Sequence, residues 1–192
     1  MLGMFKKKAA GVVIVTLNAR LQPMHRAELE DAFSDACNAH DLGAEVVGGG
    51  TLLADNGEVA ACDIEVRVDD LSPDRVAMVG RLFEAMLAPK GSYMIAGSDG
   101  KRIALGRHEG LGLYLNGTAL PEEIYEVCDS NHVHDECERR LEGLGMVNSH
   151  WQGPTETALY MYGESFERMH AAILPLLENY PLCRQCRVER IA

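Results

Sequence analysis

No apolar run in the 192 residues approaches the roughly 18–20 positions that a membrane-spanning helix needs. Also missing are Gly-x-Ser-x-Gly, a Walker loop, a dinucleotide fingerprint and His-Glu-x-x-His, which counts against the common enzyme classes. Basic residues are scarce: 18 stand against 29 acidic ones, for a net charge of −11. A field of that sign repels phosphate backbones and anionic lipid, so neither nucleic acid nor a membrane is an expected partner. A basic protein, a cation or a neutral small molecule meets no such barrier.

Cysteine occurs six times, at 37, 62, 128, 137, 183 and 186, without the spacing of a disulfide framework. A chain of this length buries a useful core without staples. The thiols therefore read as reduced, several of them buried as small apolar groups, and the cytoplasm as the expected compartment. Lys6-Lys7-Lys8 followed by Ala9 to Leu17 has the outline of a secretory leader. The β-branched stretch Val12-Val13-Ile14-Val15 reads better as a strand.

What is present is a pattern that occurs twice. Val12 to Leu17 is a short apolar strand, and Pro23 opens a helix with Leu29, Phe33 and Cys37 on one side. A strand at Glu45 to Leu53, interrupted by Gly48-Gly49-Gly50, leads to the hairpin signal Asn56-Gly57. Cys62, Ile64, Val66 and Val68 then alternate with Asp63, Glu65, Arg67 and Asp69, which gives a strand with one apolar and one charged face. Ser72-Pro73-Asp74 starts a second helix, Pro89 stops it, and Ser92 to Ala96 closes the unit. Gly97-Ser98-Asp99-Gly100 marks the expected boundary, with residues 1–97 in one unit and 98–192 in the other.

After a short strand at Ile103 to Leu105, the order recurs. Leu111 to Leu115 is a strand, and a helical stretch from Pro121 to Leu144 breaks phase near Asp129-Ser130-Asn131. Met146 to Gln152 and Thr157 to Tyr162 form a strand pair. A helix from about Ser165 contains Pro175 and ends at Pro181, and Gln185 to Ile191 closes the second unit. The order strand, helix, strand, strand, helix, strand in each half resembles the ferredoxin-like superfold. The resemblance implies an α+β protein of two consecutive βαββαβ units, with helices on one face of each antiparallel sheet. It is one of order and not of motif, and that fold hosts enzymes, regulators and binding modules alike, so no function comes with it.

Each unit would leave one sheet face open, and the two open faces either pack on each other or each receive a partner. On the first, Asp63 and Glu65 point the same way with Arg67 beside them. This is a candidate binding surface for a basic partner, or else a solvated strand face. Gly48, Gly49 and Gly50 would let a partner backbone approach closely, or simply bulge an edge strand. On the second face, Tyr160 and Tyr162, or alternatively Leu159 and Met161, would lie outward. His150 and Trp151, the latter the only tryptophan, are further binding candidates and should point to opposite faces of their strand. No catalytic residue and no cofactor are expected. A zinc site is the minority reading: Cys128, His132 and Glu136 would share a helix face, His134 lies beside them, and Cys183-x-x-Cys186 would lie at the same end of the sheet.

The leading expectation is a non-catalytic, acidic protein-binding module, of which a bacterial toxin-neutralising (immunity-like) protein is one form. The alternative is a small-ligand binder or enzyme with a site between the two sheets, arranged as a pseudo-dimeric α+β barrel. That arrangement resembles the duplicated halves of small cofactor-independent oxygenases, with Tyr160, Tyr162 and His150 lining the cavity.

Overall fold

The structure, a computed structural model, describes residues 10–192. The leader-like Lys6-Lys7-Lys8 segment lies outside the described residues. In the first half, β1 (Gly11–Leu17), α1 (Pro23–Ala39), β2 (Ala44–Leu53), β3 (Val59–Val68), α2 (Pro73–Ala85) and β4 (Ser92–Ala96) follow the expected order. The strands pair antiparallel as β2-β3-β1-β4. β5 (Arg102–Leu105), beyond the expected boundary at 97/98, pairs with β4 and makes a fifth strand of this sheet.

The second half repeats the plan with β6 (Glu109–Asn116), α3 (Glu122–Val127), α4 (Ser130–Leu141), β7 (Gly145–Gln152), β8 (Glu156–Gly163), α5 (Phe166–Asn179), a 3-10 turn at Pro181–Cys183 and β9 (Arg187–Arg190). Its sheet order, β7-β8-β6-β9, is the same permutation. The fold is α+β: two antiparallel ferredoxin-like sheets, of five and four strands, with five helices among the described residues.

Local chemistry explains the boundaries. Pro23 and Pro73 stand at helix starts, where a missing amide hydrogen costs nothing. Ser72, expected to cap α2 with its hydroxyl, makes no such bond; instead the Asp70 carboxylate accepts from the Ser72 amide. The expected phase break between α3 and α4 is a real interruption. Asp129 caps α4 by accepting from the Asn131 amide, and Ser165 caps α5 by accepting from Arg168. α5 runs on through Pro175.

Alternation then decides what each sheet buries. Val13, Val15, Ile64, Val66 and Val68 face α1 and α2, where Phe33 and Phe83 stack at 4.8 Å. In the second sheet Leu111, Leu113, Leu159 and Met161 pack beneath α4 and α5 with Val133, Leu141 and Ile173. The opposite face of the second sheet, bearing Tyr114, Tyr160 and Tyr162, joins the core of the first unit. The second sheet is therefore buried on both sides, its tyrosine face in the first unit's core and its other face in a separate core under its own helices.

Candidate functional site

The open face of the first sheet is bare. Register places Gly48, Glu65, Ile14, Ile95 and Arg102 in one row across its five strands, and Gly50, Asp63, Thr16, Tyr93 and Ala104 in the next. Val12 and Ile14 remain 41% and 38% exposed. Asp63, Glu65 and Arg67 are all exposed, and Arg67 is tied to Glu45 at 2.8 Å. Among the described residues, neither Asp63 nor Glu65 has a salt-bridge partner. Arg102 lies over the Tyr93 ring at 4.1 Å on the far side of the sheet. Two free carboxylates thus border an aliphatic stripe in solvent.

The glycine run divides in two. β2 is an edge strand with a bulge between Val46 and Gly48. A side chain at Gly49 would come within 2.6 Å of the Asp63 carbonyl and 2.8 Å of the Glu30 carboxylate, so Gly49 serves the packing of α1 on the sheet. Gly48 and Gly50 are on the outer face beside Glu65 and Asp63, and at Gly50 a side chain would meet open space. Together they leave the flank of the two carboxylates uncovered.

The second sheet's outer face is closed. The β1–α1 loop enters against it with Ala19 and Leu21 buried, and the residues after the Asn56-Gly57 turn reach it from the other side. Glu58, only 8% exposed, is the centre of the contact. Its Oε1 accepts from the Tyr114 hydroxyl at 2.6 Å and the Tyr160 hydroxyl at 2.7 Å, and it is paired with the Arg20 guanidinium. Its Oε2 accepts from Asn56 at 3.1 Å. The Tyr162 hydroxyl accepts from the Arg20 amide at 2.8 Å. A buried carboxylate is tolerated when its lone pairs are filled and a cation adjoins it, and both conditions hold here. Burial, with Tyr114 next to it, pushes the Tyr160 phenol well above its ordinary range, and burial does the same to Tyr162. These hydroxyls stay protonated and act as donors or acceptors that hold the halves together. The two open faces consequently do not oppose each other, and the barrel packing considered from the sequence is not the arrangement observed.

His150 and Trp151 sit at this junction. Trp151 is half-buried against the first unit's core, on the tyrosine face and not under its own unit's helices. His150 is exposed, with its ring 5.1 Å from His25 of α1 in a T-shaped contact. Ser149, buried between them, accepts from the Gln22 amide at 3.1 Å and lies 3.0 Å from His25 Nδ1. Burial, then the neighbouring His150, holds the His25 pKa below its ordinary value. Arg20, Glu58, Tyr114, His25 and Ser149 were not singled out from the sequence. A buried acid just after a hairpin turn has no periodicity to reveal it.

Of the residues considered for zinc, Cys186 and Cys128 lie near enough to Cys183 to help raise its thiol pKa, after burial, whereas the α4 side chains have other partners. Cys128 ends α3 and precedes the α4 cap, so it shares no helix face with His132 and Glu136. His132 packs on Tyr180 at 4.7 Å, His134 lies beside Asp135, and Glu136 is held by Arg139 and Arg140. Among the described residues no three His, Cys, Asp or Glu side chains are grouped to hold a metal ion. No described helix is long and apolar enough to cross a membrane.

No protein-family model matches the chain, and no curated protein matches it in sequence. Among solved structures it is similar to the regulatory subunit of aspartate kinase from Thermus flavus, at 12% identity and a TM-score of 0.30, over 88% of this chain and 93% of that one. It is also similar to a mutant chlorite dismutase from Candidatus Nitrospira defluvii, at 9% identity and a TM-score of 0.30, over 92% and 86%. The first two RRM domains of the yeast poly(U)-binding protein align at 10% identity and a TM-score of 0.24, over 94% and 99%. Likenesses this distant say nothing about activity. The class of the protein is the one its strand order defines, a tandem ferredoxin-like α+β chain.

Proposed function

We propose that this chain is a non-catalytic protein-binding module whose recognition surface is the open face of the first sheet. The observation that carries the reading is the asymmetry of the two faces. One is closed by loops of the same chain, whereas the other exposes Val12 and Ile14 beside the unpaired carboxylates of Asp63 and Glu65. An apolar stripe on a bare sheet favours a cover, and with Arg67 engaged by Glu45 and Arg102 by the Tyr93 ring, the two carboxylates select its charge.

The partner is a basic protein, in keeping with the net charge of −11. Gly48 and Gly50 leave room for its lysine or arginine side chains to reach the two carboxylates from the β2 side. Neutralising a toxic basic protein is one role such a surface would serve. The test is a tagged pull-down from the native cell at low and moderate salt, run in parallel with Asp63→Lys/Glu65→Lys. The reading expects one basic protein near one-to-one with the wild type, weakened by salt and lost with the double variant. Equal recovery by both proteins would overturn it.

A further inference from the structure

The outermost strands of the two sheets differ in how they are guarded. β5 and β9 have four residues each, and in β7 the Val147 amide is taken by the Glu138 carboxylate at 2.9 Å. β2 ends the first sheet with ten residues, and no other described strand lies beyond it. None of the ten is buried, and Val47, Leu52 and Leu53 are exposed hydrophobics. Edge strands commonly discourage pairing by being short or by carrying lysine or proline, and β2 does neither. A bulge between Val46 and Gly48 and an irregularity between Leu52 and Leu53 bound a regular run, residues 48–52. Alternate backbone groups of that run point away from β3.

Register gives this edge a chemistry. Gly48 stands opposite Glu65 and Gly50 opposite Asp63, all four on the outer face. A Cβ at Gly48 would lie 3.2 Å from Glu65 Oε2, so that carboxylate leans over the glycine towards the edge. At Gly50 a Cβ would meet nothing within 4 Å, which leaves the path from the edge to Asp63 open. A strand added beyond β2 would lie about 4.8 Å from it, with every second side chain on the outer face. Long basic side chains at two such positions would cross the glycines and meet the two carboxylates. Leu52, next along this face, is 64% exposed and offers an apolar contact beside them.

We propose that the β2 edge receives an extended segment of a basic partner as a further strand. Its lysine or arginine residues occupy two alternating positions, one crossing Gly48 to Glu65 and the other crossing Gly50 to Asp63. The inference rests on the proposed recognition face and adds to it the partner's backbone conformation and the spacing of its charges. A second copy of this chain is the wrong occupant, because each copy would bring its own Asp63 and Glu65 to the seam at a net charge of −11.

The probe is the end-blocked peptide Leu-Thr-Lys-Thr-Lys-Thr-Leu, whose lysines share a face when extended. Its control, Leu-Thr-Lys-Lys-Thr-Thr-Leu, has the same composition and charge but lysines on opposite faces. Each is titrated by NMR into the full chain, into Asp63→Lys/Glu65→Lys, and into Gly50→Val, whose side chain enters open space and suits a strand. The alternating peptide should bind saturably and slow hydrogen exchange at alternate amides of residues 48–52. The control peptide, and the alternating peptide on Gly50→Val, should each bind about threefold more weakly, and the charge-reversed variant should not bind. Binding that needs Asp63 and Glu65 but leaves those amides unchanged, or ignores the order of the lysines, overturns the edge inference and leaves the recognition face standing. Equal binding by the charge-reversed variant overturns both. No saturable binding of the alternating peptide at about 5 mM overturns the edge inference alone. So does slowing of the same amides with protein concentration and no peptide, which marks a second copy as the occupant.

Discussion

The Tyr160 hydroxyl donates to Glu58 Oε1 at 2.7 Å across 102 residues of sequence, joining the middle of the second sheet to the β2–β3 turn of the first unit. With Tyr114 on the same oxygen and Arg20 alongside, this is the polar centre of the seam between the halves. Glu58→Ala would leave Arg20 and two phenols without their acceptor, and we expect a loss of about 3 kcal/mol. Tyr160→Phe removes one donor and should cost about 1 kcal/mol. Urea unfolding of both variants checks this. A Glu58→Ala loss no larger than that of Tyr160→Phe would show that the cluster does not hold the seam.

His25 makes stability depend on pH in a defined direction. It faces Ser149 and His150 on β7 and Glu28 on its own helix, and it feels His134 of α4. Its pKa in the folded state lies below the ordinary 6.5, so the unfolded chain binds the proton first as pH falls. The contribution of the neutral ring is complete above 6.5 and is lost as pH drops through 6.5 towards the folded value. Unfolding midpoints compared between about pH 7.5 and about pH 5 should fall more in the wild type than in His25→Gln. A histidine titration by NMR reads the same shift directly.

The architecture was legible in the sequence because its signals are local. The alternation through Asp63, Glu65 and Arg67 identified the outer face of β3, and Asn56-Gly57 located the hairpin. What covers a face is a different matter. Periodicity tells which side chains share a side, and it placed Tyr160 and Tyr162 together, but it carries no information on a loop such as 18–22 folding over them. A bulge also breaks the count: Asn148 falls between two registers, so strict alternation along β7 mislays it. The expected helix face of Cys128, His132 and Glu136 failed for a related reason, since the Asp129 cap restarts the helix after Cys128.

Thiol chemistry should follow burial. Burial pushes the thiols of Cys62, Cys137 and Cys183 up to about 12, with Cys183 adding to the effect on Cys137. Thiolate is the reactive form, so iodoacetamide at mildly alkaline pH should leave these three unmodified in the native protein. Cys128, half-exposed in the break between α3 and α4, should be alkylated first. Peptide mapping after timed alkylation gives the order. Early labelling of Cys62 or Cys137 would contradict the packing described.

Carboxyl footprinting of the captured complex tests the account's central claim most directly. In the free protein Asp63 and Glu65 should label readily, as should the exposed Asp31 on α1 and Glu123 on α3. With the basic partner bound, the account predicts protection of Asp63 and Glu65 and unchanged labelling of Asp31 and Glu123. Labelling of Asp63 and Glu65 that is the same with and without the partner would contradict it, and would move recognition off the open face of the first sheet.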